Sequence, residues 1–338
     1  MDAMDAGELG VFRSQLIERR DRIEAVRASV GESPDLARLL GEVDAALERM
    51  EHGTYGVCAT CHGTIEKDRL MSDPLITLCI DHLNANQRRA LEHDLELASA
   101  IQTRLLPDRD LTCHGWTVHY RYQPAGPVSG DFCDLAADGG ERLFFAVGDA
   151  SGKGVAASLL MSHLHATFRT LLSLGTPAAD LMERANRLFC ASTLASHYAT
   201  AACGFAHRSG EIEIANAGHC PPLVLRRGGL ETIAATGLPL GLFCDGRYSA
   251  SRVKLDLGDA LILYTDGITE ARNAADQEYG PERLAAFLPR CAGMAPQHIA
   301  TACLEDFGAF LGGASQADDV TLMVISRQGA FQPAGQLV

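Results

Sequence analysis

The chain has 338 residues, 47% of them hydrophobic and 21% charged, and a formal net charge of −14. This length and apolar content are enough for about two domains with at least one large core. The negative charge disfavours nucleic acid as a partner, because a phosphate backbone would be repelled. Neither a long apolar run nor a basic start followed by an apolar stretch occurs. We therefore expect no membrane partner and a cytoplasmic location.

Two amphipathic helices are predicted at the start of the chain. Apolar residues step by three and four along residues 9–30 and again along residues 36–50, which is the spacing of one helical face. Gly31 ends the first helix, and Ser33 followed by Pro34 suits the beginning of the second. So short a turn predicts an antiparallel helical hairpin over residues 1–52.

A short cysteine-bearing segment, residues 53–82, follows the hairpin. Three cysteines and one histidine form two pairs with two-residue spacers: Cys58, Cys61, Cys79 and His82. This arrangement is typical of a tetrahedral Zn²⁺ site. His52 and His62 compete as the fourth ligand, but only His82 completes the second pair. Cysteines that are buried without a metal are the alternative, yet so short a segment has few other means of stability, so one Zn²⁺ is predicted.

The hairpin and the sequence Gly-Thr-Tyr-Gly-Val-Cys, which ends at Cys58, resemble the DksA/TraR zinc-finger family over about residues 1–82. Four protein ligands leave no open coordination position, so a structural or sensory role is implied rather than a catalytic one. In that family an acidic hairpin tip can enter the secondary channel of RNA polymerase. The tip here, residues 31–35, lacks the family's Asp-x-x-Asp-x-Ala pattern, which disfavours polymerase binding.

A third helix is predicted from about Asn84 to Leu106, where Pro107 stops it. Its apolar residues form one stripe with a second beside it: Leu91, Leu95, Ala98 and Leu105, then Leu97 and Ile101. Such a surface is broad enough for two partners. We expect this linker, residues 83–107, to pair with its copy in a homodimer and to transmit the state of the zinc segment to the rest of the chain.

Beyond residue 107 strand-like runs alternate with helical stretches. Strands are predicted near Trp116–Tyr122, Leu143–Val147, Glu211–Ala215, Ala260–Tyr264 and Val320–Ile325, and helices near Ala156–Leu174, Ala178–Cys190 and Gln297–Phe310. Strand runs with inserted helices predict an α+β sandwich. We assign it to one domain, residues 108–327, and expect the tail 328–338 to be disordered.

Aspartates stand in four motifs beside the predicted strand ends. The motifs are Ser-Gly-Asp-Phe at Asp131, Gly-Asp-Ala-Ser-Gly-Lys-Gly at Asp149, Thr-Asp-Gly at Asp266, and Ala-Asp-Asp-Val-Thr at Asp318 and Asp319. Each motif alone is weak, because Asp-Gly is a common turn and a carboxylate at a strand end is often solvated or a helix cap. Their order along the chain carries more weight than any one of them.

Together these motifs resemble the SpoIIE/RsbU branch of the metal-dependent serine/threonine protein phosphatases, over about residues 92–326. Further matches are Leu-Leu-Pro at 105–107, Asn-Ala-Gly-His at 216–219 and Asp-Gly-Ile-Thr-Glu-Ala at 266–271. The resemblance implies an α-β-β-α sandwich and a centre of two Mn²⁺ or Mg²⁺. The residue types agree, since carboxylates without histidine or cysteine partners suit hard divalent cations.

The resemblance also implies roles for individual residues. The catalytic residues and metal ligands would be Asp131, Asp149, the Ala150 carbonyl, Asp266 and Asp318. Asp149 would bridge the two metals, and Asp131 would orient waters or reach a metal directly. Asp319 would support the site from behind or cap the turn before Val320. Two-metal centres activate water for in-line attack on phosphorus, so no phosphoenzyme is required.

Two other residues near these motifs allow more than one interpretation. Lys153 could contact phosphate, but its glycine-rich turn lacks the Walker spacing, so a nucleotide cofactor is disfavoured. His219 is expected to be structural, at a strand turn.

The implied substrate is a phosphorylated STAS-type anti-sigma-factor antagonist in a partner-switching pathway, dephosphorylated under control of the zinc module. One rival is a phosphatase with another substrate, or one that needs an activating partner. A second rival is a transcription regulator that acts on RNA polymerase through the zinc hairpin and carries the phosphatase domain as a passenger. The complete set of aspartates argues against a passenger.

Overall fold

A computed structural model describes residues 6–30, 34–82, 85–137, 141–194 and 197–327. The chain divides into two compact units, Met1–Asp94 and Leu95–Val338. Residues 31–33 of the predicted hairpin tip, which spans residues 31–35, and the predicted tail at 328–338 lie outside the described residues. Within the described ranges, none of the helices has the length and apolar content needed to cross a membrane.

The N-terminal unit contains the helical hairpin and the cysteine-bearing segment. Its helices are α1 (Ala6–Val30), α2 (Pro34–Glu51) and α3 (Lys67–Ser72), and a 3₁₀ turn follows at Ile80–His82. Phe12 of α1 and Val43 of α2 are buried in one core with Tyr55 and Ile65 of the cysteine-bearing segment. The two predicted helices are therefore confirmed, and they share a single core with the segment that follows them.

The helix α4 (Ala85–Leu105) matches the predicted linker helix and runs across the boundary between the two units. Leu97 and Ile101 are 54% and 55% exposed, so part of its apolar surface has no cover within the described chain. One turn later, Leu105 and Leu106 are partly buried against the core of the C-terminal unit.

The C-terminal unit contains two antiparallel sheets. The strands are β1 (Asp110–Cys113), β2 (Trp116–Gln123), β3 (Asp131–Ala137), β4 (Arg142–Ala150), β5 (Ala199–His207), β6 (Glu211–Ala217), β7 (Leu223–Arg226), β8 (Gly229–Thr232), β9 (Ser251–Lys254), β10 (Ala260–Tyr264) and β11 (Val320–Arg327). One sheet has the order β1-β2-β11-β10-β7-β8, and the other has the order β3-β4-β5-β6-β9.

The helices of this unit lie in two groups outside the sheets. They are α5 (Gly154–Leu172), α6 (Ala178–Ser192), α7 (Asp266–Thr269), α8 (Pro281–Phe287) and α9 (Pro296–Leu311), with a 3₁₀ turn at Leu288–Cys291. One buried cluster lies between α5, α6 and the five-stranded sheet, a second between the sheets, and a third between the six-stranded sheet and the later helices. The predicted α-β-β-α sandwich is confirmed.

Strand β10 shows why the sequence folds in layers. All five of its residues are apolar and buried, as expected for a strand that is covered on both faces. Leu261 and Leu263 pack between the sheets, whereas Ala260, Ile262 and Tyr264 pack under the helices. Side chains alternate between the two faces of a strand, so one short apolar run serves two cores.

Candidate active site

The four aspartate motifs meet at one edge of the sandwich. Asp131 opens β3 and stands directly opposite Asp149, close to the end of β4. In the other sheet, Asp266 follows β10 and Asp318 precedes β11, and these two strands are antiparallel neighbours. Strand ends that are far apart in sequence are thereby brought together, as the motif order predicts.

Asp131 is only 1% exposed and connects the two sheets. Its Oδ2 accepts hydrogen bonds from Thr265 Oγ1 at 2.8 Å and from Thr321 Oγ1 at 2.6 Å. Burial and the charge of Asp149 raise the pKa of Asp131 well above its usual range, although the two hydroxyls oppose that shift. Sequence reasoning assigned no role to Thr265 or Thr321. Their places inside the Asp266 and Asp318 motifs were the one available signal.

Asp149 lies at the centre of the negative charge. Burial, and then the charges of Asp266 and Asp318, raise the pKa of Asp149 to about 7, and Lys153 opposes the shift. Burial and Asp318 likewise raise the pKa of Asp266. Carboxylates that raise one another's pKa repel when ionised, so a bound cation would stabilise their charged forms.

The Ala150 carbonyl and the Asp149 carboxylate face the same small space. A methyl group placed on Gly130 would lie 2.8 Å from the Ala150 oxygen and 3.0 Å from Asp149 Oδ1. The backbone N–H of Ala150 donates to the Gly130 carbonyl at 3.1 Å and holds the two segments together. A side chain at residue 130 would therefore meet both oxygens, and the Ala150 carbonyl lies in a fully buried residue.

Asp319 supports the site through the connection between β2 and β3. Its Oδ1 accepts the backbone N–H of Ala125 at 2.7 Å, and its Oδ2 accepts that of Gly130 at 2.9 Å. The turn that carries Asp266 passes so close that a methyl group on Gly267 would lie 1.9 Å from the Asp319 carbonyl oxygen. Because both carboxylate oxygens are committed to backbone groups, Asp319 positions a loop.

Asp318 and Lys153 form the open side of the cluster. Lys153 Nζ lies 3.1 Å from Asp318 Oδ2, and the two side chains are 66% and 51% exposed. The same ammonium donates to the Ala317 carbonyl at 3.0 Å. Exposed ion pairs contribute little to stability, so this pair limits the local charge without fixing the fold.

His219 lies apart from this chemistry. It is buried, its Nδ1 lies 2.8 Å from Thr200 Oγ1, and its backbone N–H donates to Asn216 Oδ1 at 2.7 Å. Burial lowers the pKa of His219 to about 4. These contacts agree with the expected structural role.

The aspartate cluster fits divalent cations that prefer oxygen ligands. Its possible donors are carboxylates and one backbone carbonyl, and several of the carboxylates have raised pKa values. Among the described residues, only the cysteine-bearing segment has three or more ligating atoms that all lie within 4.8 Å of one another, so the carboxylates are more widely spaced. This wider spacing suits Mg²⁺ or Mn²⁺, because Mg²⁺ in particular retains several waters.

The predicted zinc ligands converge in the N-terminal unit. The ligating atoms of the following residues all lie within 4.8 Å of one another: Cys58, Cys61, Cys79 and His82. Cys61 Sγ lies 3.8 Å from Cys79 Sγ, close to the separation of about 3.7 Å that tetrahedral geometry gives for Zn–S bonds of about 2.3 Å. His52 Nδ1 instead lies 2.8 Å from the Glu48 carbonyl oxygen, so the structure favours His82 as the fourth ligand.

Backbone groups prepare this cluster for a soft cation. The N–H of Gly63 lies 3.4 Å from Cys61 Sγ, beyond a turn in which His62 has a φ of 56°. Hydrogen bonds from backbone N–H groups, first that of Cys61, lower the pKa of the Cys58 thiol to about 6. Thiolates with such donors are suitable Zn²⁺ ligands.

Comparison with known proteins identifies the family of the C-terminal unit. The family described as Stage II sporulation protein E (SpoIIE) matches residues 139–328, which is more than half of the chain. The chain belongs to the SpoIIE family. The predicted SpoIIE/RsbU resemblance is thereby confirmed, whereas the DksA/TraR resemblance of residues 1–82 stays a prediction.

Several known proteins are similar to this chain. Phosphoserine phosphatase RsbU of Bacillus subtilis is 26% identical over 188 residues, which are 55% of this chain and 56% of that protein. The SiaA-PP2C domain of Pseudomonas aeruginosa has a TM-score of 0.62 at 23% identity and covers 72% of this chain and 99% of its own. The RsbU and RsbW domains of Rv1364c from Mycobacterium tuberculosis give a TM-score of 0.57 at 30% identity, over 64% of this chain and 63% of that one. This chain spans about half the length of its curated relatives.

Proposed function

We propose that this chain is a protein-serine/threonine phosphatase that uses two Mn²⁺ or Mg²⁺ held by its aspartate cluster. The observation that carries the proposal is the convergence of four carboxylates at one edge of the sandwich, in a chain that belongs to the SpoIIE family. The relative RsbU is a phosphoserine phosphatase, which supports the choice of reaction.

The proposed cation ligands are Asp131, Asp149, the Ala150 carbonyl, Asp266 and Asp318. Bound divalent cations supply Lewis acidity, which acidifies water and offsets negative charge on a transferring phosphoryl group. Asp149 occupies the central position, because the charges of Asp266 and Asp318 both act on it. The Thr265 and Thr321 hydroxyls fix the orientation of the Asp131 carboxylate.

The chain's own groups also limit how a leaving group is protonated. His219 is buried, and its hydrogen bonds go to Thr200 and Asn216. The Ser151 hydroxyl accepts the backbone N–H of Tyr198 at 3.0 Å, and a serine hydroxyl is a poor proton donor near neutral pH. We therefore infer that water at the cluster delivers the proton to the leaving group.

We propose a phosphorylated STAS-type anti-sigma-factor antagonist as the substrate. The SpoIIE/RsbU resemblance supports this choice. The open edge at Asp318 and Lys153 is accessible to a protein surface. Val155 and Leu159 follow Lys153 at the start of α5 and are 45% and 65% exposed, so apolar contacts are available beside the site. Affinity would then come from protein contact more than from the phosphate.

We further propose that the N-terminal cluster holds one structural Zn²⁺ and that its unit regulates the phosphatase through a homodimer formed by α4. The exposed Leu97 and Ile101 support the dimer. Placing aspartate at Leu95 and Ile101 should convert a dimer into a monomer and change activity. If the doubly substituted chain stays dimeric and equally active, the coupling is wrong.

The decisive experiment uses a STAS-domain protein phosphorylated on serine by its cognate kinase. Phosphate release is followed by intact-mass spectrometry, with and without Mn²⁺, for the wild type and for Asp149→Asn. A manganese-dependent loss of about 80 Da, the mass of one HPO₃ group, is expected from the STAS-domain protein with the wild type alone. If the chain hydrolyses a small phosphate ester but not the phosphorylated STAS-domain protein, the proposed reaction stands and the proposed substrate is wrong. Binding of RNA polymerase by Asp149→Asn, with no hydrolysis by the wild type, would favour a transcription regulator.

A further inference from the structure

The loop formed by residues 241–248, between β8 and β9, is held against α6 by one amide. Asn186 of α6 is fully buried, and its Oδ1 accepts the backbone N–H of Gly241 at 2.9 Å. Its Nδ2 donates to the Phe243 carbonyl at 2.7 Å. Both amide groups of one buried side chain are therefore satisfied by the loop, which fixes the loop on this face of the helix.

Two cysteines meet at the same contact. Cys190 lies one turn after Asn186 on α6, and Cys244 directly follows Phe243 in the loop. Residues four positions apart share a face of a helix, so the contact at Asn186 also brings the two cysteines together. Their thiols are hydrogen-bond partners, and both cysteines are free.

The two thiols differ in their access to solvent. Of the eleven cysteines, all of them within the described ranges, only Cys61 and Cys244 are exposed, and Cys61 belongs to the predicted zinc ligands. Cys244 lines an open cavity of about 310 Å³ between α6 and the loop. Cys190 is half-buried, and burial followed by the contact with Cys244 raises the pKa of Cys190 to about 11. A small oxidant would therefore meet Cys244 first.

The loop continues from a segment that is joined to the aspartate cluster. The backbone N–H groups of Leu240 and Ala199 donate to each other's carbonyls at 2.8 and 2.9 Å, and Ala199 stands opposite Ala150. The next residues, Leu242 and Phe243, are 47% and 56% exposed. A covalent bond between the loop and α6 would thus restrain exposed apolar side chains close to the cluster.

We propose that Cys190 and Cys244 form a reversible disulfide when the chain meets a hydroperoxide, and that this bond fixes the loop 241–248 to α6. The Cys244 thiolate attacks the O–O bond and becomes a sulfenic acid, while the remaining oxygen leaves as an alcohol or water. The Cys190 sulfur then attacks the Cys244 sulfur, the S–O bond breaks, and water leaves. Two thiols are oxidised and one hydroperoxide is reduced. Neither step requires the proposed function.

The first readout is peptide mapping of the zinc-loaded full chain after treatment with hydrogen peroxide. Remaining thiols are alkylated, and the chain is digested without reduction. The wild type should yield a peptide pair joined through Cys190 and Cys244, with the loss of about 2 Da for two hydrogens. Dithiothreitol should release the pair.

Two variants separate the roles of the thiols, and a third is the control. Cys244→Ser should form no cross-link. Cys190→Ser should leave Cys244 as a sulfenic acid, which dimedone would label. Cys113→Ser, which replaces another half-buried cysteine, should form the cross-link as the wild type does.

The second readout is hydrogen exchange of the loop 241–248, before and after oxidation. Exchange in the wild type should slow on the order of tenfold, because a covalent bond to α6 opposes local opening. Oxidation should leave exchange in Cys244→Ser unchanged.

Oxidation of Cys244 to a sulfinic acid in the wild type, with Cys190 still a thiol, overturns the proposal. Cross-links that join only the zinc ligands also overturn it. A cross-link between Cys190 and Cys244 that leaves exchange of the loop unchanged contradicts it as well, because the bond would then restrain nothing.

Discussion

The two units of this chain each bring potential metal ligands together, but they do so in opposite ways. In the N-terminal unit, three thiols and an imidazole gather within 4.8 Å on a small core shared by two helices and a short loop segment. In the C-terminal unit, the aspartates stand at the ends of strands whose positions three buried clusters fix. We infer that bound metal stabilises the fold of the first unit, whereas the fold of the second unit positions its metal ligands without metal.

This difference follows from where the ligands sit. Cys58 and Cys79 are themselves part of the small core, so loss of a cation there removes a link between core residues. Asp266 and Asp318 lie outside strands that are already paired. Without cations, their repulsion remains but the strands stay in register.

The largest expected effect is on catalysis. Asp149→Asn removes the central carboxylate and should lower kcat/KM for p-nitrophenyl phosphate by about three orders of magnitude or more, as expected for loss of a metal-centred reaction. The melting temperature of the C-terminal unit should hold or rise, because a repelling charge is lost. A variant that unfolds would contradict the view that the fold holds this site.

The next effect concerns the N-terminal unit. Cys79→Ser should abolish zinc binding and unfold this unit, with loss of several kcal/mol, since structural Zn²⁺ contributes on the order of 10 kcal/mol in zinc-finger peptides. Calorimetry of the full chain should lose one transition and keep the other. Cys113→Ser, which replaces a half-buried cysteine of the other unit, is the control and should retain both transitions.

A third substitution tests the close approach within the aspartate cluster. Gly267→Ala would place a methyl group 1.9 Å from the Asp319 carbonyl oxygen, so backbone must shift, at a cost of about 3 kcal/mol. Mn²⁺ affinity should fall with stability. Gly308→Ala lies in α9 with open space around it and should be neutral or stabilising by up to about 1 kcal/mol. Equal behaviour of the two variants would refute the close contact.

The smallest effect is on the pH dependence of stability without metal. The pKa of Asp149 is raised to about 7 in the folded chain from its ordinary value of 3.8. Between these two pH values the folded state therefore binds one proton more than the unfolded state does. The stabilisation is complete below about pH 4 and is lost as pH rises through about 7. The wild type should therefore lose stability relative to Asp149→Asn across this window. The measurement is the free energy of unfolding from denaturant titrations in a chelator, at several pH values. The same pH dependence in the wild type and in Asp149→Asn would contradict the assignment.

Much of this architecture was predictable from sequence. The five predicted strands and the three predicted helices after residue 107 are present, because their apolar periods are long enough to recognise. Six strands were not predicted: β3 and β5, with seven and nine residues, and the short strands β1, β7, β8 and β9, with four residues each. Four residues carry too little periodicity to distinguish a strand from a loop.

The aspartates were predictable because their motifs are local, but the contacts that hold them are not. Thr265 and Thr321 act on Asp131 across two sheets. Gln102 acts on Ser129 from a helix 27 positions earlier. Such partners become visible only when the packing of strands and helices is known.

The comparison of the two units is tested most directly by separating their metals. The full chain is treated with a chelator weak enough to leave Zn²⁺ bound, and phosphate ester hydrolysis and zinc content are measured before and after Mn²⁺ is added. We predict that hydrolysis disappears and returns with Mn²⁺ while one Zn²⁺ per chain stays bound throughout. Hydrolysis that survives the chelator and is lost only with Zn²⁺ would contradict the account, since it would place the chemistry at the thiolates.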